Sequence, residues 1–271
     1  MNAGDESLPS DGDIVVGVED AVATVTFTRP QRRNAIDYDG WLALRRVAEA
    51  LAGRADIRVV VFAGEGDEAF SAGADIADFD HHRNDSEEAR VYGAAFDGAV
   101  DAIEAIPQPT VCLIKGACIG GGCELSLAAD IRIAADNGRF GIPAARLGIL
   151  IGHREMGRLV GLVGRGNASY LLLSCRLISA TEALRIGLVN AVLPLAEVDE
   201  YVYAMAAEIA SLAPLSHLRH KQIMETVLHN PSLEGLTAEQ EDLPFSNFDS
   251  EDFHEGRRAF KDRRSPRFHG L

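Results

Sequence analysis

The chain has 271 residues, 47% of them hydrophobic and 25% charged, which fits an ordinary globular protein of one large domain or two small ones. Its 26 Lys and Arg face 41 Asp and Glu, for a net charge of -15. Such a balance argues against nucleic acid or an anionic membrane surface as the main partner, because both repel an acidic protein. No run of about 18 apolar residues predicts a transmembrane span. The acidic opening MNAGDESLPSDGD lacks the basic and apolar regions of a signal peptide and is expected to form a disordered tail over residues 1–12.

Ala21–Thr28 (AVATVTFT) alternates and is rich in Val and Thr, so it predicts a strand that Arg29-Pro30 ends. Trp41, Leu42, Leu44, Val47, Ala48 and Leu51 recur at helical spacing and predict a helix from about Asp37 to Ala52. Ile57–Ala63 is a continuous apolar run, as in a strand buried on both faces. A loop over Gly64–Asp75 and a helix over Ser86–Ile106 are expected next. Then come a strand at Thr110–Ile114, a turn at Gly120–Gly122, a helix opening at Cys123–Ala129 and a strand at Ile131–Ala134. Alternating apolar strands and amphipathic helices predict an α/β fold with largely parallel strands. After about residue 150 strand signals fade, and segments near 154–164, 166–173, 180–187, 195–213 and 215–229 read as helices. The ending, Glu255–Leu271, carries Arg257, Arg258, Lys261, Arg263, Arg264 and Arg267, a basic patch in an acidic chain.

Cys112, Cys118, Cys123 and Cys175 form no CxxC pair and read as buried thiols of a reducing compartment. His81-His82 lacks further ligands at metal-binding spacing, so no metal is expected. Two loops carry the functional signal. One is Phe70-Ser71-Ala72-Gly73-Ala74-Asp75, after a buried strand. The other is Gly116–Leu125 (GACIGGGCEL), which also follows a strand and opens a helix. Three consecutive glycines let backbone approach a ligand closely, and the helix behind them aims free N–H groups at it. That predicts an anion or oxyanion site. Gly122 is followed by Cys123-Glu124 rather than the Lys-Ser/Thr of a Walker A loop. The GxGxxG spacing of a dinucleotide loop and the GxSxG of a nucleophile elbow are absent too.

With these loops the chain resembles the enoyl-CoA hydratase/isomerase (crotonase) superfamily. The matching stretches run in family order: Thr28–Ala35, Ala69–Ile76 (AFSAGADI), Pro109 with the strand after it, and Gly116–Ala134. They continue through Arg139–Ile149 (RFGIPAARLGI), Arg158–Ser174, Ser179–Pro194 and Glu255–Phe268. The resemblance implies a spiral of β-β-α turns capped by a helical region that makes trimers or dimers of trimers. The expected division is a spiral core over 13–200 and a helical C-terminal part over 201–271.

The resemblance also implies an acyl-CoA thioester substrate, with no cofactor beyond the CoA that the substrate carries, and a cytoplasmic enzyme. Backbone N–H groups of Ala74 and Gly121 are expected on the thioester oxygen. Ala72, Asp75, Ile76, Gly120 and Ala144 are expected along the substrate, and Arg29 and Arg263 near the CoA phosphates. Glu124 matches the first glutamate of the hydratases. The second falls at Ala144, in Phe140–Ala144 (FGIPA). The loss of that acid/base group draws attention to His153 and Glu155 as replacements. The leading expectation is hydration of a 2-enoyl-CoA. Isomerisation, decarboxylation or thioester hydrolysis on the same fold is the alternative, as is a CoA-binding protein with little catalysis.

Overall fold

The computed structural model describes residues 10–271. Most of the tail expected at 1–12 therefore lies outside the described residues, while Asp11 forms a bridge with Ile14. The strands are β1 (Ile14–Glu19), β2 (Val22–Phe27), β3 (Val59–Gly64), β4 (Ala69–Ser71), β5 (Thr110–Ile114), β6 (Ala117–Ile119), β7 (Ile131–Ala135), β8 (Arg139–Gly141), β9 (Ile178–Ser179) and β10 (Ala191–Leu193). The helices are α1 (Tyr38–Ala52), α2 (Phe79–His82), α3 (Ser86–Glu104), α4 (Gly121–Ser126), α5 (His153–Ser174), α6 (Ala180–Arg185), α7 (Val198–Ala210), α8 (Pro214–His229), α9 (Ala238–Asp242) and α10 (Glu251–Asp262).

The strands form a six-stranded sheet, β1-β2-β3-β5-β7-β10, and a four-stranded sheet, β4-β6-β8-β9. Pairing is parallel except for β1 with β2 and β8 with β9. The chain passes from the large sheet to the small one at β3–β4, again at β5–β6 and again at β7–β8, with helical structure after each pair. This is the expected spiral of β-β-α turns. Parallel neighbours need a crossover, and here the short strand and the helix together supply it. Gly116 turns the corner between β5 and β6 with φ +62°, and a Cβ there would overlap the Glu68 carbonyl.

The predicted central strands and helices are present, with two corrections. The region after residue 150 is not free of strands, since β9 and β10 extend both sheets. They have two and three residues, too few for a periodic signal. The loop expected over Gly64–Asp75 contains β4, again only three residues long, whereas the two helices read near 154–164 and 166–173 are both present, joined as α5 across a break at Gly164 (φ 72°, ψ 160°).

β3 shows why an unbroken apolar run becomes a central strand. Val60 and Phe62 face a core shared with α1 and α3, while Val59, Val61 and Ala63 face α7. α1 buries Trp41, Leu44, Val47, Ala48 and Leu51 on one stripe. Asp37 starts it by accepting from the Gly40 N–H at 2.8 Å. Trp41 Nε1–H donates to Tyr92 Oη at 2.9 Å, tying α1 to α3 inside the core.

α8 has no buried residue. Lys221 is its chief polar anchor: Nζ donates to Ile106 O at 2.7 Å, Gln108 O at 3.1 Å and Asp130 Oδ2 at 2.7 Å. Asp130 in turn accepts from the Thr110 backbone N–H and hydroxyl of β5, both at 2.8 Å. The variant Lys221→Met should speed amide hydrogen exchange across α8 by roughly tenfold or more. Protection of β3 and β5 should stay near that of the parent, as measured by exchange mass spectrometry.

Candidate active site

Ala72 and Ala74 after β4, Gly120 and Gly121 before α4, and Ala144 after β8 line a cavity of about 380 Å³. Glu124 from α4, Tyr92, Phe96 and Asp97 from α3, Arg83 from the end of α2, and Glu155 from α5 complete its wall. Most of the rest is aliphatic, with Ile142, Leu147, Ile149 and Ile151 among it.

The loop before α2 is pinned on both sides of Ala74. Ile36 N–H donates to Gly73 O at 2.8 Å, and Asp75 N–H donates to Ile36 O at 2.9 Å. Ser71 Oγ locks the same turn, accepting from Gly73 N–H at 3.0 Å while donating to Asn34 O at 2.8 Å. Ala74 N–H itself meets no acceptor among the described residues. The glycine-rich loop is held in a similar way. Gly120 N–H donates to Gly141 O and Glu124 N–H to Gly120 O, both at 2.9 Å, and Gly121 N–H at the helix start has no acceptor among the described residues.

The two loops touch. A Cβ on Gly121 would lie 3.4 Å from Ala74 N, and one on Gly73, whose φ is +85°, would lie 2.5 Å from Gly121 N. Glycine is required at 73, because a side chain would drive the loops apart. Two backbone donors left unpaired, close together and lining one cavity are what an oxyanion hole requires.

Glu124 lies beside this hole, 8% exposed, in the first turn of α4. Burial among apolar groups pushes its carboxyl up to about 8, and the charge of Glu155 adds to the shift while Arg83 opposes it. Near neutral pH Glu124 is therefore mainly protonated and able to donate. Glu155 is 1% exposed and ion-paired with Arg158 Nη1 at 3.3 Å. Arg158 also binds Asp101 at 2.8 Å and Glu104 at 2.5 Å, which anchors it between α3 and α5. Gly152 leaves the room that the Glu155 carboxylate occupies, since a Cβ there would overlap Glu155 Oε2.

Of the residues predicted from sequence, Ala72, Ala74, Ile76, Gly120, Gly121, Glu124, Ala144 and Glu155 line the cavity. His153 does not; it is exposed at the start of α5, on the turn that points Glu155 inward. Arg29 is enclosed by Asp13, Asp37 and Asp75 at 3.2, 3.1 and 2.9 Å and also donates to Ala35 O, so its fork braces the loop before α2. Asp75 is the partner in that brace and caps the turn behind Ala74 through Ala77 N–H at 3.1 Å. Arg263 is exposed just past α10, outside the cavity wall. Sequence reasoning missed Arg83, Tyr92, Phe96 and Asp97. A signal existed for three of them: Ala89, Tyr92, Gly93, Phe96 and Asp97 recur three or four residues apart and share one face of α3.

Known proteins are similar to this chain in sequence and in fold. The crotonyl-CoA hydratase of Syntrophomonas wolfei is 33% identical over 94% of this chain and 97% of its own. The short-chain-enoyl-CoA hydratase of Clostridium acetobutylicum is 33% identical over 93% of this chain and 95% of its own. A solved enoyl-CoA hydratase/carnithine racemase from Magnetospirillum magneticum superposes with a TM-score of 0.94 at 34% identity, covering 98% of each chain. Residues 17–270 match the enoyl-CoA hydratase/isomerase family, and the chain belongs to it.

Proposed function

We propose that the chain adds water across the double bond of a 2-enoyl-CoA. The observation that carries this reading is the pair of unpaired N–H groups of Ala74 and Gly121 beside the protonated Glu124. The thioester oxygen accepts from both donors, so negative charge developing on it as oxygen attacks the β carbon is stabilised. Glu155, with Arg158 behind it, takes a proton from the attacking water. The water oxygen bonds to the β carbon, and the π electrons move onto the thioester as an enolate. Glu124 then gives its proton to the α carbon, and the two carboxyl groups exchange the remaining proton to reset. A pair of acids whose surroundings differ this much suits one donor and one acceptor. Glu155 thus stands in for the carboxyl group that Ala144 does not provide. The steps use only backbone N–H and carboxyl groups, with CoA entering as part of the substrate.

Glu124, a protonated carboxyl beside the two donors, also allows a second reading, double-bond isomerisation, which needs a single group to move one proton. The variant Glu155→Gln separates the two. Hydration of crotonyl-CoA should fall by roughly 10²-fold or more, and Ala144→Glu added to it should restore part of the rate. If isomerisation of a 3-enoyl-CoA is the faster reaction and survives Glu155→Gln, the second reading holds instead.

Glu124→Gln should lower turnover by roughly 10²-fold or more while the protein stays folded. It should also change how stability depends on pH. Below the usual value of 4.5 the folded and unfolded states both hold the proton. Between there and about 8 only the folded state holds it, so stability falls as pH rises and this contribution is lost above about 8. Thermal unfolding of Glu124→Gln should lack that decline and should give a higher melting temperature than the parent above pH 8.

The C-terminal helices support a homotrimer or dimer of trimers. The stretch from α8 to α10 exposes Met224, Leu228, Phe245, Phe248 and Phe260, the last 87% exposed, apolar side chains that an interface between copies would cover. Sedimentation at micromolar concentration should show no stable monomer. The four buried free thiols support a cytoplasmic enzyme.

A further inference from the structure

We infer that the acyl chain taken by this cavity carries a carboxylate and that Arg83 recognises it. The inference rests on the acyl-CoA reading of the site and adds the class of acyl group. Arg83 follows α2 and lines the cavity. Its guanidinium carbon lies 4.6 Å from the Phe79 ring centre and 4.8 Å from that of Tyr92. The rings hold the guanidinium in place without using its N–H groups.

Among the described residues, no side chain or carbonyl pairs with that guanidinium. The other enclosed arginines are occupied. Arg29 and Arg158 each hold three carboxylates, and Arg132 donates to the carbonyls of Leu188, Ser126 and Ala129. A half-buried cation that has lost part of its hydration and gained no acceptor favours a ligand that brings one. The planar fork of a guanidinium fits a carboxylate through two parallel hydrogen bonds.

The charges in the cavity are segregated. Glu155 is bound to Arg158, and the field of Asp97 falls on the same guanidinium. Glu124 is kept mainly uncharged by burial. The acidic groups thus gather where α3 meets α5, and Arg83, at the α2 side, is the one cation in the described lining. An acyl chain running past Glu124 toward α2 meets two aromatic rings and then this cation. A methyl-ended chain there would cover Arg83 and strip more of its water with nothing in return.

The phosphates of CoA are the other source of negative charge on such a ligand, and one experiment separates the sources. The probes are two saturated, unreactive six-carbon acyl-CoA thioesters, one ending in a methyl group and one in a carboxylate. Their CoA parts are identical and cancel in the ratio of affinities. Titration calorimetry on the parent should show the carboxylate form binding roughly 10–100-fold tighter. Arg83→Met keeps a long side chain against the rings and should bring the ratio to about one or below. Arg83→Lys keeps the charge and should retain part of the preference, which a purely structural role would not do. A ratio near one in the parent, or one unchanged in Arg83→Met, overturns the inference. Equal weakening of both probes by Arg83→Met assigns Arg83 to the CoA phosphates and overturns it as well. If neither probe binds the parent, the acyl-CoA reading itself falls, a result distinct from a ratio of one.

Discussion

Two backbone segments distant in sequence approach so closely at Gly73 and Gly121 that no side chain fits between them, and the site depends on that contact. A peptide N–H normally finds an acceptor in the fold, because burying it unpaired costs about 1–3 kcal/mol. Here the neighbouring groups are all satisfied: Gly73 O, Asp75 N–H, Gly120 N–H and Glu124 N–H each have partners. Those bonds hold the loops rigid around the two donors that are left over. The donors are thus held in place before any ligand arrives, which is the condition for stabilising charge on an oxygen with little reorganisation.

The spiral is what permits this approach. Each passage from the large sheet to the small one leaves a short loop at the same end of the molecule, so the loop after β4 and the loop after β6 become neighbours. The large sheet is buried on both faces, against α1 and α3 on one side and α7 on the other, and gives the loops a stiff base. Arg29 then braces the first loop through Asp75 and Asp37. Its guanidinium is spent on the fold, which explains why an arginine distant from the first loop in sequence can matter to the site without facing the cavity.

Electrostatics divides the two buried carboxyl groups. Glu124 has no cationic partner in contact and is surrounded by apolar atoms, so it holds its proton. Glu155 is as deeply buried but touches Arg158, itself steadied by Asp101 and Glu104 on α3. The two groups differ in their partners rather than in their depth. The cavity that Ala144 lines without a carboxyl thus receives one from α5.

Much of this was legible in the sequence. The apolar runs of β3 and β5 could only be central strands, the stripe from Trp41 to Leu51 could only be a buried helix face, and the glycine loops announced close backbone approach. Those features are local, and local spacing records them. The strands of the small sheet were not legible, because two or three residues carry no period and their pairing is decided by partners far along the chain. Nor could spacing choose between His153 and Glu155: they are two residues apart, and the direction in which α5 leaves the cavity puts one in solvent and the other inside. Sequence by itself determined which residue types and which loops were available for catalysis. Tertiary structure alone decided which charges meet. Arg29 was drawn into a brace, Glu155 was brought to the cavity and Arg83 was left without an ionic partner among the described residues, because ion pairing depends on distances of a few ångströms between segments that the chain order does not bring together.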